Sequence, residues 1–277
     1  MKLGELAGRA RRALERPADP PDGVSLWSPA NRRRIEHWVW TPPGATGDLP
    51  LVLMLHGTVD ATGHVMWQHG RAKETAALLV REKVVPPFAL VLGTDTGHEL
   101  GSAYADWHDG SARVETYVLD ELLGWADSAL PLNGVRHVAG ISMGGYGALT
   151  LALRRPGRFE SASSTSGYFD PMRLFGSGRV PDFSDRVWGD ADRRAAHDPR
   201  TLVADPARRA NLRVAFDCGT EDDLIADNRA FHQHLTDLEI PHGYAEHPGS
   251  HDWTYWRTHL ADHFRFHLTN TGPLAIA

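Results

Sequence analysis

"AGISMGGYGALTLAL", residues 139–153, crowds a serine and four glycines into the start of an alanine- and leucine-rich helical run. Glycine inside a helix costs about 1 kcal/mol relative to alanine, so four of them there need a physical reason. Gly140-Ile141-Ser142-Met143-Gly144 fits G-x-S-x-G, a tight turn that lifts a serine between the end of a strand and the start of a helix. The flanks fit that context: "VRHVAGIS" reads as a strand, and a helical pattern runs from Met143 to Arg155 before Pro156-Gly157. The chain reverses so sharply at such a serine that side chains on either side would collide, which accounts for Gly140 and Gly144. Gly145 and Gly147 read instead as positions where the helix packs closely on a sheet. The helix N-terminus behind Ser142 favours negative charge, and the Met143 N–H is placed to donate to an oxyanion.

A serine hydroxyl is inert without a base to take its proton and an acid to orient that base. Downstream, "FDCGTEDDL" (216–224) ends an apolar strand candidate and sets Glu221, Asp222 and Asp223 on the following turn. "EHPGSHDW" (246–253) follows another and places His251 just before a helical pattern. Ser, acid and His therefore occur in the order that a strand-turn-helix nucleophile uses. Asp222, three residues after Gly219, is taken as the acid, with Asp223 as the alternative; the remaining carboxylates are expected to be solvated or to cap a helix. His251 is taken as the base over His247, because it follows Gly249-Ser250 in a turn. His232, His234, His259, His263 and His267 fall on helical patterns and read as surface or core-filling residues. Upstream, "LMLHGTVD" (53–60) ends a nearly all-apolar run, and its Gly57 permits close backbone approach; the Thr58 N–H is the expected second oxyanion donor.

Around these motifs, short apolar runs alternate with helical patterns. Strand candidates are "IEHWVW" (35–40), "LPLVLML" (49–55), "FALVLGT" (88–94), "FESASSTSG" (159–167), "LRVAFDCG" (212–219) and "YAEH" (244–247). Helical patterns cover 113–130, 143–155, 228–238 and 252–268. That alternation predicts an α/β fold: a mostly parallel sheet with helices on both faces. Residues 1–23 read as an N-terminal extension, with an amphipathic helix over 1–16. Residues 24–277 read as one domain, interrupted at about 169–209 by a lid-like insertion in which proline, glycine and charge break any period.

The chain has 277 residues with 42% hydrophobic and 23% charged side chains, as an ordinary globular protein does. A net charge of −6 excludes the basic footprint of a nucleic-acid binder. Cys218 is the only cysteine, so no internal disulfide forms. No run suits a secretory signal or a membrane span, and a cytoplasmic location is expected. No metal-ligand spacing occurs, and no cofactor is expected; oligomeric state is left open.

With the turn, acid loop and histidine loop in order, the chain resembles α/β-hydrolases of the esterase D group. That group includes S-formylglutathione hydrolases, tributyrin-type acetyl esterases, feruloyl esterase domains and the antigen 85 mycolyltransferases. The resemblance rests on "LMLHG", on "YADW" (104–107) with "ETYVLDEL" after it, on "AGISMGGYGALTLALRRPGRFESASSTSG", on "CGTEDDLIADNRAFHQHL" and on "HPGSHDWTYWRTHL". It implies Ser142 as nucleophile, Asp222 as acid, His251 as base and the Thr58 and Met143 N–H groups as oxyanion hole. It also implies a serine carboxylesterase that hydrolyses small acyl esters or thioesters through an acyl-enzyme. The alternatives are an S-formyl-thiol hydrolase, an acyltransferase with the same triad, and a non-catalytic binding module of this fold. Trp67, Tyr104, Trp107, Phe175, Trp188 and Trp253 are the candidate substrate-binding residues; Phe169 is a further aromatic candidate for an acceptor pocket.

Overall fold

The computed structural model describes residues 22–58, 64–95, 101–171 and 183–269. Eight strands form one sheet in the order β1-β2-β4-β3-β5-β6-β7-β8. The strands are β1 (Asp22–Ser28), β2 (Arg33–Trp40), β3 (Leu49–Leu55), β4 (Ala89–Gly93), β5 (Leu132–Ile141), β6 (Ser161–Thr165), β7 (Arg213–Gly219) and β8 (Gly243–His247). β1 and β2 pair antiparallel, β2 joins β4 antiparallel, and every other pairing is parallel.

The six strand candidates and the strand before Ser142 all lie in this sheet, whereas β1 was not foreseen. As an edge strand it buries little, and its Trp27 is 52% exposed, so it carries no apolar run to read. Leu49–Leu55 is apolar nearly throughout because β3 is covered on both faces. Leu51, Leu53 and Leu55 enter one core cluster while Val52 and Met54 enter another. Each such leucine contributes roughly 1.5–3 kcal/mol by leaving water.

Helices cover both faces. α1 (His64–Gln68), α2 (Ala72–Arg81) and the C-terminal α9 (Trp253–Leu268) enclose the Val52 side. On the other side lie α3, α4 (Met143–Arg154) and α8 (Ile225–Asp237). α3 runs as Val114–Thr116, a π-helical Tyr117–Leu122 and Leu123–Ala129. The helical pattern over 113–130 is therefore a helix, with a wider turn in its middle that a 3.6-residue period does not reveal.

The described part of the 169–209 segment holds α5 (Phe183–Trp188), α6 (Ala191–Ala195) and α7 (Pro199–Ala204). It packs along α4: Val187, Trp188, Leu202 and Val203 join the core, and the Tyr146 hydroxyl donates to the His197 carbonyl at 2.6 Å. The helix read over 1–16 and Phe175 both lie outside the described residues. Among the described residues, no helix is long and apolar enough to cross a membrane.

Candidate active site

β5 ends at Ile141, α4 begins at Met143, and Ser142 is the whole connection. It adopts φ 55°, ψ −117°, a conformation that non-glycine residues rarely hold and that surrounding structure must enforce. Its N–H donates to the Thr165 carbonyl at 2.9 Å, and its carbonyl receives the Tyr146 N–H at 3.1 Å. A Cβ at Gly140 would overlap the Gly144 carbonyl, and one at Gly144 would overlap the Leu55 and His56 carbonyls. Glycine is therefore required on both sides of the serine, for the steric reason read from the motif.

The acid and base reach Ser142 from the ends of β7 and β8. The His251 Nδ1 lies 2.9 and 3.1 Å from the two Asp222 carboxylate oxygens, and its Nε2 lies 3.1 Å from the Ser142 Oγ. A carboxylate only accepts, so Nδ1 carries the proton and Nε2 is left to receive the serine's. Asp222 is 2% exposed. Burial pushes its carboxyl up, but the hydrogen bonds from His251 and the Leu224 N–H outweigh burial and hold it below the usual carboxylate range. The imidazole is one-third exposed, open to a substrate and to water. His247 stacks on His259 with ring centroids 4.1 Å apart, away from this arrangement.

The loop that carries Gly57 and Thr58 runs beside the same serine. A Cβ on Gly57 would sit 3.4 Å from the Ser142 Cβ, so the backbone entering Thr58 passes directly beside the nucleophile. His56 fixes that backbone: its Nδ1 bonds the Gly57 carbonyl at 2.7 Å while its Nε2 accepts the Asp95 N–H at 3.1 Å. The Tyr104 hydroxyl holds the His56 carbonyl at 3.0 Å. Gly101 brings Met143 and Thr58 together, since a Cβ there would meet both side chains.

Most of the candidate substrate-binding aromatics are buried in the core. Tyr104, Trp107 and Trp188 are 1–2% exposed and belong to the main core cluster, with Trp67, at 7%, in the second. Phe169 is also core, 4.2 Å from the Phe231 ring. Trp107 also lines a cavity of about 450 Å³ with Arg113, Arg154, Arg155 and Arg193. That cavity sits by the last residue of α4, a helix length of about 18 Å from Ser142. Aromatic content alone does not separate core from pocket, and here burial took most of the rings.

Trp253 is different. Its ring lies 4.8 Å from Trp256, which in turn stands edge-on to His251 at 5.0 Å. Trp256 escaped the reading, although its i, i+3 spacing from Trp253 in the first turn of α9 puts both on one side of the helix.

Residues 28–267 match the model of the family described as Putative esterase. The S-formylglutathione hydrolase of Bos taurus is 26% identical over 252 residues, covering 84% of this chain and 88% of that protein. Two solved structures superpose closely. The fluorophosphonate-binding serine hydrolase F of Staphylococcus aureus gives a TM-score of 0.75 at 22% identity, covering 91% of this chain and all of that one. An S-formylglutathione hydrolase from Agrobacterium tumefaciens gives 0.75 at 21% identity, covering 89% and 95%. The shared architecture is the α/β-hydrolase fold.

Proposed function

The chain belongs to the Putative esterase family, as a serine hydrolase of carboxylic ester or thioester bonds, and on that premise we propose that Ser142, His251 and Asp222 are its catalytic triad. The observation that carries this reading is the unbroken series from the Ser142 Oγ to the His251 Nε2 and from Nδ1 to the Asp222 carboxylate. His251 takes the serine proton as Oγ attacks the acyl carbonyl, and Asp222 steadies the imidazolium that forms. The Thr58 and Met143 N–H groups receive the developing oxyanion at the N-terminus of α4. His251 then gives its proton to the departing alcohol or thiol, and a water it activates releases the acid. The preferred substrates are small acyl esters. The similarity to S-formylglutathione hydrolases favours a formyl thioester as a second substrate. The single, buried Cys218 is compatible with a cytoplasmic setting.

A fluorophosphonate probe is expected to label Ser142, and Ser142→Ala to lower p-nitrophenyl acetate turnover by about 10⁶-fold. Turnover retained in that variant overturns the assignment. An acyl series from acetyl to octanoyl, run beside a formyl thioester, separates the two substrate classes.

A further inference from the structure

The triad's two downstream members sit on separate loops, and something must set the distance between them. The loop after β7 carries Asp222, and the loop after β8 carries His251. Two backbone contacts begin the junction: Thr220 N–H to the His247 carbonyl at 2.9 Å and Glu221 N–H to the Gly249 carbonyl at 3.0 Å, while Asp222 N–H turns back within its own loop to the Gly219 carbonyl at 3.1 Å. Gly249 returns its own N–H to the Glu221 carboxylate, while the Thr220 hydroxyl donates to the other carboxylate oxygen at 2.8 Å. Glu221 and Gly249 thus exchange two hydrogen bonds in a closed ring, one residue before Asp222 and two before His251. The fit leaves no slack. A Cβ on Gly219 would overlap the Gly249 carbonyl, and Gly249 itself is at φ +142°, a backbone region that favours glycine.

We propose that Glu221 is a positioning residue of the triad, whose carboxylate clamps the histidine loop to the acid loop and holds His251 at bonding distance from Asp222. This inference rests on the esterase reading above. The sequence gives Glu221 no role beyond a solvated or capping carboxylate beside Asp222. The structure instead makes its side chain the only one that bridges to the Gly249 N–H among the described residues. A carboxylate oxygen and an amide oxygen both accept that N–H, so Gln preserves the clamp while removing the charge. Ala removes both.

The test compares Glu221→Ala and Glu221→Gln in the full chain, with Ser142→Ala as the inactive control. Loss of registration by about 1 Å costs a reaction of this kind about 100-fold, so Glu221→Ala is expected to lose about 10- to 100-fold in kcat with KM little changed. The acid limb of its kcat/KM profile moves to lower pH, because a loosened Asp222 stabilises the imidazolium less. Glu221→Gln restores kcat to within about 3-fold of the parent and returns the acid limb. NMR of the hydrogen-bonded His251 Nδ1 proton supplies a readout that needs no turnover. That resonance is expected to be lost or shifted in Glu221→Ala and retained in Glu221→Gln. If Glu221→Gln behaves like Glu221→Ala, the carboxylate acts through charge and the clamp is wrong. If Glu221→Ala matches the parent in kcat, acid limb and resonance, the residue positions nothing. An inactive parent with the resonance pattern intact fails the esterase reading while leaving the clamp standing.

Discussion

A methyl group at Gly144 would land on the carbonyl oxygens of Leu55 and His56, where β3 hands over to Gly57 and Thr58. Backbone there has no free rotamer to yield, so the added carbon must displace the loop that presents the Thr58 N–H. At Gly147 the obstacle is a side chain, the Tyr104 ring, whose hydroxyl tethers the same His56 carbonyl. The atoms nearest a Cβ on Gly145 belong to the Ser164 side chain and the Gly167 backbone. The division read from the sequence, chemistry at Gly140 and Gly144 and packing at Gly145 and Gly147, is thereby modified: Gly147 reaches the His56 carbonyl, at the start of the Gly57–Thr58 loop, through one intermediary. Gly144→Ala is expected to lose about 100-fold in turnover per folded molecule, as a misplaced reacting group does. Gly147→Ala is expected to cost about 1–3 kcal/mol of stability by overpacking, with a much smaller loss of turnover. Thermal melting, with turnover normalised to the folded fraction by circular dichroism, measures both; equal activity losses would contradict the distinction. The arrangement of Ser142, Asp222 and His251 was legible because each sits in its own short motif at a strand end. The contacts of Glu221 were not, because they depend on two loops meeting, 28 residues apart from Glu221 to Gly249.

At the level of elements, β6 and α9 share a seam that no periodicity announces. Ser161, Ser163 and Thr165 alternate along β6 and so face one side, which α9 covers with His263 and His267. The His137 Nδ1 meets the Ser161 Oγ at 2.7 Å, Ser161 meets the His267 Nδ1 at 2.7 Å, and the His267 Nε2 meets the Ser163 Oγ at 2.8 Å. Ser163 meets the His263 Nδ1 at 2.8 Å, and the His263 Nε2 meets Asp217 at 2.8 Å, where the Tyr255 hydroxyl also donates at 2.7 Å. Burial raises the Asp217 carboxyl, but His263 and Tyr255 outweigh it and hold it below the usual range. A carboxylate only accepts, so the series runs in one direction: His137 Nδ1 donates to Ser161, His267 Nε2 to Ser163 and His263 Nε2 to Asp217, with the two serine hydroxyls donating onward between them. Reading His263 and His267 as surface or core-filling residues left their burial open and missed this connectivity, because the serines lie about 100 residues upstream. The strands other than β1 and the helices α3, α4, α8 and α9 were legible from apolar period, α2 was not, and pairings between distant polar residues leave no local trace. Ser163→Ala is expected to strand two buried ring nitrogens, at about 1–3 kcal/mol each. Urea denaturation should register that loss, and an unchanged midpoint would show that the series is not cooperative.

Across the whole molecule, buried histidines give the fold a definite response to acid. Burial pushes His37, His137 and His197 down to about 4, with Arg213 adding to the effect at His137 and Arg154 at His197. Burial, with the neighbouring His137, also holds His267 well below the usual imidazole range. In the unfolded chain these groups titrate near about 6.5, so between that pH and about 4 the unfolded state binds protons that the folded state refuses. The stability they contribute is whole above that window and lost as pH falls through it, by up to about 1.4 kcal/mol per pH unit for each histidine. Asp217 and Asp222, held below the usual carboxylate range, act in the same direction further down in pH. Against a typical total of about 5–15 kcal/mol, several such groups together suffice to unfold the chain in mild acid. The urea midpoint is therefore expected to be flat from pH 8 to 7 and to fall steeply below about 6. A midpoint that holds down to pH 4.5 would contradict the account. The four histidines are also dispersed: His37 lies against Trp125, His197 against Trp188, and the other two in the β6 seam. Protonation then strains both faces of the sheet at once, so tryptophan fluorescence and far-ultraviolet circular dichroism should lose the fold at the same pH, in one cooperative step.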